Sequence, residues 1–174
     1  MASMTAEKIA GSVRERLGAK CLDCTVRNAK RVYIGVAPKD WPETAKYLCI
    51  DRKCRFNIAS GYQTPGGFEV LYHFSFNEGD ENGEGPRTGV VLSVRVKADG
   101  GENPVLPSVG KDIKAFNFIE RELYDLLGIR FEGHPFPKPL LRAEDWPEDF
   151  FPLRRTEKRA ELDYKAGCGT ESGP

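Results

Sequence analysis

Phe68-Glu69-Val70-Leu71-Tyr72-His73-Phe74-Ser75-Phe76 and Val90-Val91-Leu92-Ser93-Val94-Arg95-Val96-Lys97 are the two stretches that decide the fold. In the first, Phe68, Val70, Tyr72, Phe74 and Phe76 recur at every second position, and in the second Val90, Leu92, Val94 and Val96 do the same. A period of two puts these side chains on one face of a strand and leaves Glu69, His73, Ser75, Ser93, Arg95 and Lys97 on the other. A sheet that is apolar on one side and polar on the other must cover the apolar side, so the helices are expected there. The segment 77–87 joining the strands is acidic and rich in glycine, which predicts a mobile hairpin tip.

Working outward, Thr5 is placed to cap a helix in which Ile9, Val13 and Leu17 recur every four residues, with Gly18 as its stop. Val32, Ile34 and Val36 alternate as a half-buried strand. Asp40 and Glu43 have the spacing of a capping box, ahead of Trp41, Ala45, Leu48 and Cys49 on one face of a helix running to about Asp51. A further strand is expected near Arg55 to Ala59, with Phe56 and Ile58 pointing the same way. Phe116, Ile119, Leu123, Leu126 and Leu127 then carry helical spacing, closed by Gly128. Prolines at 135, 137, 139, 147 and 152, interleaved with Phe136, Trp146, Phe150 and Phe151, predict an extended arm. From Thr156 the aliphatic residues thin out, which predicts a disordered tail. The fold class is thus α+β: an antiparallel sheet with helices on one face, divided into an α+β domain over 1–133, a docking arm over 134–155 and a tail over 156–174.

At 174 residues the chain has room for one ordinary core. Lysine plus arginine equals aspartate plus glutamate at 26 each, which argues against nucleic acid or an anionic membrane as the partner. No apolar run reaches the roughly 18–20 residues of a membrane helix, and Met1 to Lys8 lacks the core of a signal peptide, so a cytoplasmic location is expected.

Little in the sequence is arranged for catalysis. The glycines at 79, 83 and 85 sit among acids that would repel phosphate. Of two histidines, His73 reads as a polar-face strand residue and His134 follows the third helix. Cys21, Cys24, Cys49 and Cys54 can be written as a four-thiolate zinc site, the alternative being a small zinc-stabilised interaction module. Against it, Cys49 falls on an apolar helix face and stands five residues from Cys54. On the third helix, Phe118, Arg121 and Asp125 point away from the apolar arc, with Arg121 and Asp125 an i, i+4 pair. Such a face is either solvated or a partner contact with an aromatic anchor.

The run Glu120-Arg121-Glu122-Leu123-Tyr124-Asp125-Leu126-Leu127-Gly128-Ile129-Arg130-Phe131-Glu132-Gly133-His134-Pro135, continued by Lys138-Pro139-Leu140-Leu141, resembles the signature of the thirty-kilodalton subunit family of respiratory complex I, the NADH dehydrogenase. Energy-converting nickel-iron hydrogenases carry an equivalent subunit. Similarity extends through residues 68–97, Pro107-Ser108, Asp145-Trp146 and Pro152-Leu153-Arg154-Arg155. The resemblance implies a subunit without flavin, iron-sulfur cluster or metal, hence no cofactor and no turnover of its own. It implies docking on the large subunit that holds the quinone or nickel-iron site, beside an iron-sulfur subunit, peripheral on the cytoplasmic side of the membrane. Glu120, Arg121, Glu122, Asp125, His134 and Lys138 match the signature positions.

Physical roles follow for these residues. Glu120 and Glu122 border the apolar arc and each needs a cationic or backbone partner. His134 is placed to fix the turn into the arm. Phe118 is an exposed aromatic, and Trp146, Phe150 and Phe151 are the arm's expected anchors on a neighbour. On this reading, truncation after Gly133 leaves a folded domain that no longer binds its large subunit. Phe118, where the family often has tryptophan, the run Gly110-Lys111-Asp112-Ile113-Lys114 and Thr156 depart from the pattern, and keep the hydrogenase-type complex beside the quinone-linked one.

Overall fold

The computed structural model describes residues 5–77, 87–142, 146–147 and 149–155. The two alternating stretches form its centre. Strands β4 (Gly67–Asn77) and β5 (Arg87–Lys97) pair antiparallel, Tyr72 opposite Val94 and Phe74 opposite Leu92. Their period-two residues are buried, so the predicted face is the core face. The hairpin tip and the tail after Thr156 lie outside the described residues.

Strand β3 (Arg55–Thr64) pairs antiparallel with β4, and β2 (Arg31–Val36) runs parallel to β5 on its other side. Strand β1 (Cys21–Asn28) completes the sheet antiparallel to β2, giving the order β1-β2-β5-β4-β3. The expected all-antiparallel sheet is therefore corrected at one pairing. Alternation fixes which face a residue takes but says nothing of its strand's direction or neighbour. β1 carried no legible signal, because only one of its edges is paired and its residues are half-buried or exposed.

The β3 expectation also changes. A bulge between Phe56 and Ile58 shifts the register, turning Phe56 into the core and leaving Ile58 53% exposed. A bulge of this kind erases the period of two over the residues that would reveal it.

Helix α1 (Ala6–Leu17) forms where expected: Thr5 Oγ1 accepts from the Lys8 N–H, Gly18 ends the helix at φ +53°, and Ile9, Val13 and Leu17 are buried. Helix α2 (Trp41–Lys46) is shorter than expected and continues as a π-helical turn, Tyr47–Asp51. The capping box does not form. Asp40 is already helical at φ −94°, its side chain caps nothing, and the Thr44 hydroxyl donates to its carbonyl.

Helix α3 (Asn117–Leu127) ends at Gly128, φ +68°, as the sequence indicated. Its Leu123 and Leu127 press onto β3 at Gly61, where a Cβ would lie 2.6 Å from Leu127 Cδ1. Two three-residue strands too short to show a period, β6 (Val105–Pro107) and β7 (Arg130–Glu132), pair parallel beside it. Between helices and sheet lies an aromatic cluster. Trp41 stacks on Tyr72 at 3.9 Å and Phe56 on Phe116 at 4.1 Å, contacts worth about 0.5–1.5 kcal/mol each beyond burial.

Candidate functional site

The signature residues converge on α3 and on the segment that follows it. Glu120 is fully buried. Its Oε2 accepts from the Ser108 hydroxyl at 2.5 Å and its Oε1 from the Val109 N–H at 2.8 Å. Burial pushes its carboxyl up from an ordinary 4.5 to about 7, against the lowering effect of hydrogen bonds from Ser108, Val109 and Gly110. The partner it needs is thus the loop after β6. Glu122 is half-buried and has no such partner among the described residues.

His134 Nε2 donates to the Asn117 carbonyl at 3.1 Å and its Nδ1 accepts from the Phe136 N–H at 3.0 Å. The two bonds tie the first turn of α3 to the start of the arm and select the Nε2–H tautomer. The Glu120 carboxylate lies 3.7 Å from the same Nε2.

Arg121 and Asp125 are not partners of each other. Asp125 is fully buried under the arm, its Oδ2 accepting from the N–H groups of Leu140 and Leu141, each at 2.6 Å, and of Arg142 at 3.3 Å. Arg121 donates through Nε to the Lys138 carbonyl at 2.7 Å and through Nη2 to the Pro139 carbonyl at 2.8 Å. A cation and a carboxylate one turn apart thus hold the acceptors and donors of one short extended segment. A helical wheel shows such a pair as an outward face, because it contains no chain that later returns to cover it.

The far end of the arm closes the helix. Leu153 N–H donates to the Leu126 carbonyl at 3.0 Å and Arg154 Nε to the Leu127 carbonyl at 2.6 Å, filling acceptors that a helix C-terminus leaves open. Arg154 also lies over the rings of Phe68 and Phe151, 4.9 and 4.5 Å from their centroids. Phe151 packs edge-on against Tyr124 at 6.0 Å, which makes it an internal contact where an outward anchor was expected. Trp146 and Phe150 meet edge to face at 5.6 Å and are half-buried. These bonds also change the expectation for truncation at Gly133, which would strip Asp125 and the end of α3 of their partners.

What remains open is a surface of rings and cations. Phe118 is 65% exposed and Phe136 46%, with the Arg121 guanidinium within 6 Å of both centroids and Lys138 Nζ 5.2 Å from that of Phe136. Beside them a cavity of about 220 Å³ is lined by Tyr124, Arg130, Phe131 and Lys138, with Glu120 and His134 also contributing. Sequence reasoning did not single out Ser108, Arg130 or Arg154 for roles here. Arg154 was legible only as a signature match, since its side-chain hydrogen bonds go to residues 26 or more positions away.

The zinc alternative loses its basis. Cys21 and Cys24 lie on β1 and Cys49 and Cys54 around the end of α2. Among the described residues no three histidine, cysteine, aspartate or glutamate side chains are grouped to hold a metal. Burial pushes the Cys49 thiol up to about 11 and the Cys54 thiol to about 12, the behaviour of packed thiols. His73 sits on the open sheet face with Nδ1 2.8 Å from Ser93 Oγ. No described helix is long and apolar enough to cross a membrane.

Residues 34–161 match the family model described as the respiratory-chain NADH dehydrogenase, 30 Kd subunit. An NADH-quinone oxidoreductase subunit of Roseiflexus is 32% identical over 154 residues, 83% of this chain and 81% of that one. Other curated relatives are spanned over about two thirds of their length. Among solved structures, the trypsin-resistant fragment (1-134) of Nqo5 is 27% identical with a TM-score of 0.56, covering 75% of this chain and 97% of the fragment. A chain of the membrane-bound sulfane sulfur reductase, an archaeal respiratory membrane complex, shares the fold at 17% identity and a TM-score of 0.74, covering 96% of this chain and 95% of that one. The signature around α3 and the match across most of the chain agree: this protein belongs to the family of the 30 kDa subunit of respiratory-chain NADH dehydrogenase.

Proposed function

We propose that the chain is a cofactor-free, non-catalytic subunit of a membrane-attached NADH-quinone oxidoreductase, docking on the large catalytic subunit and adjoining an iron-sulfur subunit on the cytoplasmic side. The residues of this contact are Phe118, Arg121, Glu122, Lys138, Trp146 and Phe150 at or near the surface, with Glu120, Asp125, His134 and Phe151 holding that surface in shape. The observation that carries the reading is where the polar groups of α3 are directed. Glu120, Arg121 and Asp125 all bond the protein's own loop and arm. They hold exposed Phe118 and Phe136 beside Lys138 in one fixed patch. Aromatic anchors flanked by cations are the composition of interface hot spots. On this division, residues 134–155 serve as an arm that completes the docking surface from outside the α+β domain.

Co-purification from native membranes tests it. Phe118→Asp with Lys138→Glu in the tagged chain is expected to cut recovery of the large subunit at least tenfold, with the thermal midpoint of the isolated chain unchanged. Undiminished recovery would overturn the reading, and a nickel-iron large subunit in the purified complex would move the chain to the hydrogenase type. Turnover of NADH and quinone by the isolated chain would end the claim that it is non-catalytic.

A further inference from the structure

The sheet face turned away from the helices is open among the described residues, and its side chains are unlike a plain solvated surface. The register sets Ile58 beside His73, His73 beside Ser93 and Ser93 beside Tyr33, while in the next row Leu71 faces Arg95. Ile58 is 53% and Tyr62 36% exposed, and Leu71 and Tyr33 are half-buried with none of the described residues laid over them. A shallow groove of about 320 Å³ runs across this face between Tyr33, Leu71, Tyr62 and Arg27.

The charges are one-sided. Arg27, Arg31, Arg55, Arg95 and Lys97 stand on this face, against the carboxylates of Asp23 and Glu69. Both carboxylates are already engaged: Asp23 pairs with Arg95 at 2.6 Å, lying across Gly35, and Glu69 accepts from the Tyr62 hydroxyl at 2.7 Å. Arg27, Arg55 and Lys97 have no ion-pair partner among the described residues. A chain whose formal charge is zero overall thus gathers an excess of cations around a strip of tyrosine and aliphatic surface.

We propose that this open face is a second docking surface, and that its occupant is an acidic segment of another polypeptide of the complex, lying across Tyr33, Leu71 and Tyr62 with carboxylates toward Arg27, Arg31, Arg55 and Lys97. Complementary charge of this kind fixes register and excludes wrong partners. A second copy of the chain is disfavoured, since a two-fold contact would set this cationic face against itself. Nucleic acid is disfavoured because the chain as a whole balances 26 basic against 26 acidic residues and so has no field to hold a polyanion. Helix α3 packs on the other face of the sheet, so the surface is separate from the one around Phe118, and the chain would be gripped on both sides.

Photo-cross-linking in the intact complex tests this. Benzoylphenylalanine replaces Ser60, exposed on β3 opposite Leu71, and in a second preparation Phe118, each in the tagged full-length chain. The Ser60 probe is expected to join an acidic stretch of another polypeptide of the complex, identified by mass spectrometry. Arg27→Glu with Arg55→Glu is expected to lower that yield at least tenfold while the Phe118 adduct persists, and Arg27→Gln with Arg55→Gln to lower it less. A Ser60 probe that reacts only with a second copy or with nucleic acid, or that stays unreacted while the Phe118 probe reacts, overturns the proposal. So does a yield that charge reversal leaves unchanged. If the Ser60 probe reacts as expected and the Phe118 probe does not, the α3 docking site fails and this one stands.

Discussion

In α1 the apolar residues Ile9, Val13 and Leu17 are buried and Glu7, Lys8, Arg14 and Glu15 are exposed, whereas in α3 Glu120 and Asp125 are fully buried and Phe118 is 65% exposed. Both are helices of three turns laid on the same sheet. The first is held by its own amphipathic pattern and needs only a surface to cover. The third is held by what returns to it: a loop that meets Glu120, an arm that meets Arg121 and Asp125, and a distant arginine that fills its last carbonyls. Burying a carboxylate is unfavourable unless its oxygens are bonded, so α3 and its partners are expected to keep or lose their structure together.

The largest effect is expected where that closure is tightest. A Cβ at Gly128 would lie 2.6 Å from Arg154 Nη2 and 2.7 Å from Phe151, at a φ of +68° that a β-branched residue resists. Gly128→Val should lower unfolding free energy by roughly 3–5 kcal/mol through backbone strain and overpacking, read by urea denaturation. A loss below 1 kcal/mol would show that the arm does not seat as described.

Asp125→Ala should cost about 2–3 kcal/mol, because three N–H donors lose a charged acceptor, and should open 138–142 to limited proteolysis. The matched change on α1, Glu15→Ala, should stay within about 0.5 kcal/mol. Equal costs for the two would erase the contrast between the helices.

Glu120 adds a pH dependence that α1 lacks. Its folded carboxyl titrates near 7 where the unfolded one titrates near 4.5, so the folded state binds the proton more tightly. The stabilisation is complete below about pH 4.5 and is lost as pH rises through about 7, a swing on the order of 3 kcal/mol. Glu120→Gln should flatten that slope between pH 4.5 and 7. A variant with the parent's slope would place the titration elsewhere. On α1 even the loss of a bonded side chain costs little: Thr5→Ala should cost about 0.5–1 kcal/mol through loss of the cap on Lys8 N–H.

Much of this was legible in the residues. The period-two runs of β4 and β5, the Thr5 cap, the Gly18 and Gly128 stops and the apolar arc of α3 each follow from local spacing, and each forms. The Asp40 capping box did not form because Asp40 is already helical, and Phe56 and Ile58 parted because a bulge lies between them. At the site, the signature run named Glu120, Arg121, Asp125, His134 and Lys138 together. Their spacing alone misled on direction, making Asp125 an outward residue when it is among the most buried.

By itself the sequence determined which faces are apolar, where α1 and α3 end and that the run around residues 120–141 belongs to a respiratory-complex subunit family, since these rest on spacing and residue type within short windows. Only the tertiary structure decided that β2 runs parallel to β5, that Ser108 and Val109 receive Glu120, and that Leu140, Leu141 and Arg142 receive Asp125. The reason is the range of the interactions. A hydrophobic period is a property of neighbours along the chain, while the partner of a buried charge is chosen by which distant backbone arrives beside it with unpaired donors.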